Sequence, residues 1–253
     1  MAESDRIYTA ALVVIGDEIL SGRIQDRNIA QVATWCGVHG IRLNEVRVVP
    51  DDSAAIGAAV NALRTAHDYC FTTGGIGPTH DDITVDAIAA ALGVGVMVHP
   101  DAEAQLQEYY ADRGGLTEAR LRMARVPEGA ELIPNRYTGA PGIRFGNLFI
   151  MAGVPGITAG MLDALSGKLA GGAPLLTETI GSWVQESEVA DLLRETEQAH
   201  PGTQIGSYPF WREGRAGANF VIRSTDAEVL AHCTRAIVAG LEQLGHPATA
   251  GGL

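Results

Sequence analysis

From Ile7 to Ile15 the chain reads Ile-Tyr-Thr-Ala-Ala-Leu-Val-Val-Ile and breaks at Gly16-Asp17. A strand that is apolar along almost its whole length needs cover on both faces. That is the situation of a strand inside a parallel sheet with helices above and below. The segments that follow keep the same logic. Asn28 to Gly40 carries a helical stripe of Ile29, Val32, Ala33 and Cys36, and Ile41 to Val49 alternates as a second strand. Pro50-Asp51-Asp52-Ser53 opens a helix through Ala66, with Asp52 or Ser53 as its cap. Asp68 to Thr73 is a third strand and Asp81 to Leu92 a third helix. Strand and helix in strict alternation predict crossover units and a doubly wound, mostly parallel sheet.

Further on, Pro100 to Arg113 and Leu116 to Arg125 read as helices, and Gly142 to Val154 as a hairpin turning at Gly146-Asn147. Ile157 to Leu169 is a last helix before the cluster Ala170-Gly171-Gly172-Ala173-Pro174, which is read as a domain boundary. Residues 1–172 would be a large α/β domain. Residues 173–253 would be a small α+β domain of pattern β-α-β-β-α, with a fraying tail from His246.

Composition narrows the function classes. With 18 Lys and Arg against 30 Asp and Glu, the chain of 253 residues carries a net charge of −12. A uniformly acidic chain repels phosphate backbones and anionic membranes, so the expected partner is a small molecule and not nucleic acid or a bilayer. Three widely spaced cysteines, Cys36, Cys70 and Cys233, form neither a disulfide framework nor a zinc site, so reduced buried thiols are expected. The polar first residues do not read as a signal peptide, and no apolar run reaches the ~18 residues of a membrane span. A soluble, cytoplasmic protein is the expectation.

The segment richest in chemistry is Thr72-Thr73-Gly74-Gly75-Ile76-Gly77-Pro78-Thr79-His80-Asp81-Asp82. It leaves a buried strand and enters a helix, where open α/β sheets bind ligands. Three glycines in four residues can turn backbone N–H groups toward an anion. The spacing fits neither the dinucleotide fingerprint nor the P-loop, since His80 replaces the last glycine and no Gly-Lys-Ser/Thr follows. Asp81-Asp82 beside such a loop suits Mg²⁺ next to phosphate. Asp86 reads as a solvated or capping residue. Parallel strands end at one edge, so Gly16-Asp17-Glu18 and Asp51-Asp52 should face the same crevice. One of Asp51 and Asp52 caps a helix, leaving the other for chemistry. Gly-x-Ser-x-Gly and His-Glu-x-x-His are both absent, which argues against serine-triad and zinc-protease chemistry.

Ile15-Gly16-Asp17-Glu18-Ile19-Leu20-Ser21-Gly22, followed by Asp26 and Asn28, resembles the opening motif of the CinA (competence/damage-inducible protein A) family. The Thr72–Asp82 segment is similar to the signature of that family. It is shared with molybdopterin-binding domains of molybdenum-cofactor biosynthesis proteins and with the pterin-like domain of some FAD synthases. Val126 to Ala130, Ala140-Pro141-Gly142, Gly153-Val154-Pro155 and Ile205 to Pro209 match later segments. The resemblance implies a three-layer α/β/α molybdopterin-binding-like fold with a KH-like second domain. It implies a pterin or nucleotide ligand, molybdopterin among them, or metal-dependent hydrolysis of a dinucleotide pyrophosphate such as ADP-ribose.

By the same resemblance, Thr73, Gly74, Gly75 and Gly77 hold phosphate. Gly16, Asp17, Glu18, Ser21, Pro78, Thr79, Gly153 and Pro155 complete the ligand site. Asp82 is the key acidic residue and Asp51 the second, together holding Mg²⁺ or another divalent cation. A homo-oligomer, dimer or trimer, is also implied, and the deamidase domain of longer members is expected to be missing. Gly156-Ile157-Thr158 departs from the commoner Ser-Glu-Met near the ligand. In the small domain Gly214-Arg215-Ala216-Gly217 is a literal G-x-x-G, the clamp of RNA-binding KH domains. It lies between two predicted strands in a segment with five arginines and ten acidic residues, so it reads as a hairpin loop. Trp183 is expected between the domains, and Phe210-Trp211 at a subunit contact.

Overall fold

The computed structural model describes residues 6–253. It divides into two compact units, Met1–Gly172 and Ala173–Leu253. The first unit is built on a six-stranded sheet of order β2-β1-β3-β8-β7-β6. Its parallel part comprises β1 (Tyr8–Ile15), β2 (Ile41–Val49), β3 (Tyr69–Thr73) and β8 (Leu148–Met151). β7 (Gly142–Phe145) and β6 (Glu131–Ile133) extend it antiparallel, with β7–β8 forming the hairpin around Gly146-Asn147.

β1 lies between β2 and β3, and residues 10 to 15 are buried without interruption. Ala11, Val13 and Ile15 face α3 (Ser53–Ala66) and α4 (Thr84–Leu92) through Ile56, Val60, Leu63 and Ile88. Ala10, Leu12 and Val14 face α2 (Asn28–Val38) and α7 (Pro155–Leu165) through Val32, Trp35, Met161 and Leu162. The two faces of one strand thus feed two separate cores, which is the three-layer α/β/α arrangement. Burying each large aliphatic side chain there stabilises by about 1.5–3 kcal/mol, so this strand anchors both layers. Trp35, outside the expected stripe of α2, packs edge-on to Phe71 at 6.0 Å and stacks on His39 at 4.2 Å. Cys36, Cys70 and Cys233 are buried and free. Burial pushes the Cys36 and Cys70 thiols up to about 12, which makes them inert at neutral pH.

Several expected elements are corrected. The four-residue α1 (Asp17–Leu20) stands where the sequence predicts a loop. The helix expected from Asp81 begins only at Thr84, because Thr79 and Asp82 close a turn of their own. Asp86 is partly solvated, as expected, and is not a cap: its two carboxylate oxygens accept from Nη1 and Nη2 of Arg125. Leu116 to Arg125 is not one helix. It divides into α6 (Glu118–Leu121), a 3₁₀ turn (Arg122–Ala124) and β5 (Arg125–Pro127), which pairs with β4 (Val96–Val98). The apolar positions that looked helical, Leu116, Leu121 and Met123, pack on a small separate core with Ala102 and Leu106 of α5 (Pro100–Tyr110).

The second unit has a four-stranded antiparallel sheet of order β10-β11-β9-β12. Its strands are β9 (Leu176–Ser182), β10 (Thr203–Arg212), β11 (Arg215–Ser224) and β12 (Thr249–Ala250). α8 (Glu186–Ala199) and α9 (Ala227–Gln243) close its core through Val189, Leu230, Ile237 and Leu241 against Phe220 and Ile222. Gly214 lies in the β10–β11 turn, so the G-x-x-G is part of a hairpin. Trp183 meets Phe210 edge-on at 5.4 Å and lies beneath the Arg215 guanidinium, both of its own unit. The tail does not fray. β12 pairs with Gly181 and Ile180 of β9, and Asn219 Oδ1 accepts the Leu253 N–H at 2.8 Å.

At Gly40 the chain turns out of α2 with φ +67°, and a Cβ there would stand 1.9 Å from the Gly172 carbonyl oxygen. Gly172 N–H in turn donates to Gly40 O at 2.9 Å. Gly40→Ala is therefore expected to lower stability by at least the ~1–2 kcal/mol of a left-handed alanine. Gly37→Ala, inside α2 with nothing within 4 Å, should raise it by roughly 0.5–1 kcal/mol. Thermal melts of both variants check this, and opposite signs are the result expected.

Candidate functional site

β1, β3 and β8 run parallel and end at one edge of the sheet. The chain passes from β1 outward to β2 and then returns to the other side of β1 as β3. Loops leaving such a reversal diverge and open a crevice. The loops after β1, β3 and β8 surround a cavity of about 870 Å³. Glu18, Ile19 and residues 23–28 line one side, Gly74 to Pro78 and Asp82 a second, and Ala152 to Pro155 a third. Tyr110, Met123, Thr138, Ala140, Ile157 and Met161 complete an otherwise apolar wall.

The glycine loop is held from beneath. Gly74 N–H donates to Met151 O at 3.2 Å, and Thr84 N–H donates to Gly75 O at 3.1 Å. The Thr84 hydroxyl donates to Gly74 O at 2.9 Å. These bonds require φ +107° at Gly74 and φ +67° at Gly75. They also leave no space: a Cβ would lie 2.1 Å from Ile15 O in the first case and 2.1 Å from Thr84 Oγ1 in the second. The glycines are thus dictated by the loop's own packing on β1 and α4, and not only by ligand approach. The N–H groups of Gly75, Ile76 and Gly77 enter no backbone ladder among the described residues and stand where the cavity begins.

The acidic residues divide into distinct roles. Asp82 Oδ2 accepts the Thr79 N–H at 2.8 Å and also the Thr79 hydroxyl, and the residue lines the cavity. Glu18 also lines it, its carboxylate folded back over Gly16. Asp52 Oδ1 caps α3 through the Ala55 N–H at 2.8 Å. Asp51, expected to be free for chemistry, accepts the Asp17 N–H at 3.0 Å and does not line the cavity, so it fixes the start of α1. Gly16, Asp17, Ser21, Thr73 and Thr79 also lie outside the lining, whereas Gly74, Gly75, Gly77, Pro78, Gly153 and Pro155 are in it. Gly16 N–H donates to Val49 O, Ser21 Oγ donates to Glu18 O, and Thr73 is buried with its hydroxyl unpartnered among the described residues. Sequence reasoning missed Arg23, Arg27 and Asn28 as wall residues. Their place depends on contacts such as Asn28 Nδ2 to Gly153 O, 125 positions away.

Among the described residues no three His, Cys, Asp or Glu side chains converge on a point that could hold a metal ion. Asp82 and Glu18 on the lining are carboxylates, the type of hard oxygen donor that a Mg²⁺ takes alongside phosphate.

A doubly wound sheet with its crevice at this reversal is the architecture of the molybdopterin-binding domains, and residues 11–171 match the family model described as a probable molybdopterin binding domain. Residues 174–246 match the FAD synthase middle domain. The chain resembles the crystal structure of the protein CinA, of unknown function, from Thermoplasma acidophilum. The two are 32% identical with a TM-score of 0.60, over 64% of this chain and 98% of that one. It is 32% identical over 236 residues to a CinA-like protein of Chlorobaculum tepidum, covering 86% of this chain and 54% of the relative. A protein of Aeropyrum pernix is 33% identical over 213 residues, 79% of this chain and 78% of its own. The chain belongs to the CinA family. It spans about half the length of the CinA-like relatives it matches.

Because the Gly75 Cβ position is filled by Thr84, Gly75→Ala is expected to destabilise the first unit by about 1–3 kcal/mol, with the loop unclasped. A variant that melts with the wild type would refute this packing.

Proposed function

We propose that the cavity binds a phosphate-bearing pterin or nucleotide, molybdopterin or an ADP-ribose-like dinucleotide, and that it hydrolyses the pyrophosphate bond of the ADP-ribose-like ligand. The observation that carries the proposal is the meeting of the Gly75 to Gly77 amides with Asp82 on one cavity of about 870 Å³, enough for a dinucleotide. The amides take up charge developing on the phosphate oxygens, a contribution that grows as water is excluded. Water attacks one phosphorus, its bond to the bridging oxygen breaks, and AMP leaves from ADP-ribose. Asp82 and Glu18 are the carboxylates placed to orient that water. Mg²⁺ or another divalent cation, held by the same two residues, would neutralise pyrophosphate charge. Asp51 acts indirectly, by holding the α1 turn that carries Glu18.

A net charge of −12 supports a small-molecule partner over nucleic acid or membrane, and no helix among the described residues is long and apolar enough to cross a bilayer. We place the protein in the cytoplasm. Self-association as a dimer or trimer would use Trp211, 71% exposed on the edge strand β10. A second reading, a carrier that binds the same ligand without turnover, is favoured by the lack of a three-residue metal cluster among the described residues.

AMP release from ADP-ribose across a Mg²⁺ titration separates the readings. Asp82→Asn keeps an acceptor oxygen for Thr79 but loses the charge. Turnover should fall by ~10²-fold or more, while the melting temperature stays close to wild type. Equal turnover in both removes Asp82 from the reaction. Binding of ADP-ribose without turnover in either establishes the carrier.

A further inference from the structure

One residue of the cavity lining carries a buried side-chain oxygen with no partner among the described residues. Asn28, the first residue of α2, is 3% exposed and lines the cavity. Its Nδ2 donates to Gly153 O at 2.8 Å. That bond fixes the amide, since the flipped amide would set two oxygens against each other. Oδ1 is then left buried with no partner among the described residues. Asp26 Oδ1 holds the Ile29 N–H at 2.7 Å, so the turn carrying Asn28 is also fixed and the side chain has little freedom to seek another donor. A buried oxygen stripped of water and given nothing in return is costly, and native proteins keep few of them.

Gly153 joins this atom to the glycine loop. Its carbonyl receives Asn28, and its Cβ position lies 3.3 Å from Gly74 Cα. Asn28 and the glycine loop therefore belong to adjoining parts of one wall. Ile24, Ala152, Ile157 and Met161 supply apolar surface suited to a flat ring.

We propose that Asn28 Oδ1 accepts a hydrogen bond from an amino group on the ligand's heterocycle, while the ligand's phosphates lie at the Gly75 to Gly77 amides. The assignment rests on the ligand reading above and adds the ligand's orientation. An amino group is a donor only and satisfies the oxygen. A ring carbonyl at that point is repelled, and a sugar hydroxyl leaves its own lone pairs unmatched against an apolar wall. The site thus selects aminated rings, adenine and pterins, over their deaminated counterparts.

Isothermal titration of the full chain tests this with ADP-ribose, hydroxymethylpterin, the analogue of each with hydrogen in place of the amino group, and inorganic pyrophosphate. In the wild type the aminated member of a pair should bind roughly tenfold or more tighter, and in Asn28→Leu the two should fall within about twofold. Pyrophosphate should bind both proteins alike. Equal affinity for the two members of a pair in the wild type overturns the assignment, and that comparison stands even if Asn28→Leu does not fold. Pyrophosphate binding without any ring binding overturns it too, while leaving the phosphate loop intact. A wild type that binds no probe removes the phosphate-loop reading and this assignment together.

Discussion

The structure of the first unit depends on a single strand being dry on both faces. β1 has helices on either side and a parallel neighbour along each edge, so its position leaves little latitude to the elements around it. Its last residue, Ile15, does two things at once. The side chain packs with α3 and α4, while its carbonyl fills the place a Cβ on Gly74 would need. The core thereby reaches into the loop that borders the cavity. Hydrophobic burial, a force without direction, is converted there into a fixed backbone geometry.

How much was legible in the sequence follows from how local each signal is. β1, β3 and the glycine loop were readable because unbroken apolar runs and a glycine cluster carry their meaning within a dozen residues. The start of α4 was not, because Asp81-Asp82 has the look of a helix cap; what decides is the Thr79 hydroxyl, which claims Asp82 for a separate turn. β5 was hidden in a helical pattern, since Leu116, Leu121 and Met123 do share a core, reached through a 3₁₀ turn and not a continuous helix. β12 has two residues and pairs through backbone, which leaves no side-chain periodicity to read.

The candidate site shows the same limit more sharply. The loop residues that line the cavity were found because three glycines in four residues are rare without a reason. The split between Asp51 and Asp52 was anticipated in form, one of them a cap, but the partner of the other was not. Asp51 reaches a backbone N–H 34 positions earlier, and nothing near it in the chain announces that. Asn28 was visible as a helix start, whereas its burial arises from a carbonyl contributed by the far end of the same domain.

The clasp between Thr84, the carbonyls of Gly74 and Gly75 and the Cβ position of Gly75 has an evolutionary consequence. Four groups, the two glycines, the threonine and the Met151 carbonyl, satisfy one another, so replacing either glycine or the threonine meets a clash or strands a buried polar group. Such a set drifts only if several members change together, and it should therefore be nearly frozen over time. Arg23 and Arg27, which line the same cavity without belonging to that set, are free to vary one at a time. A lineage built on this fold can retune what it binds by rewriting the wall, while the frame of the glycine loop is inherited whole.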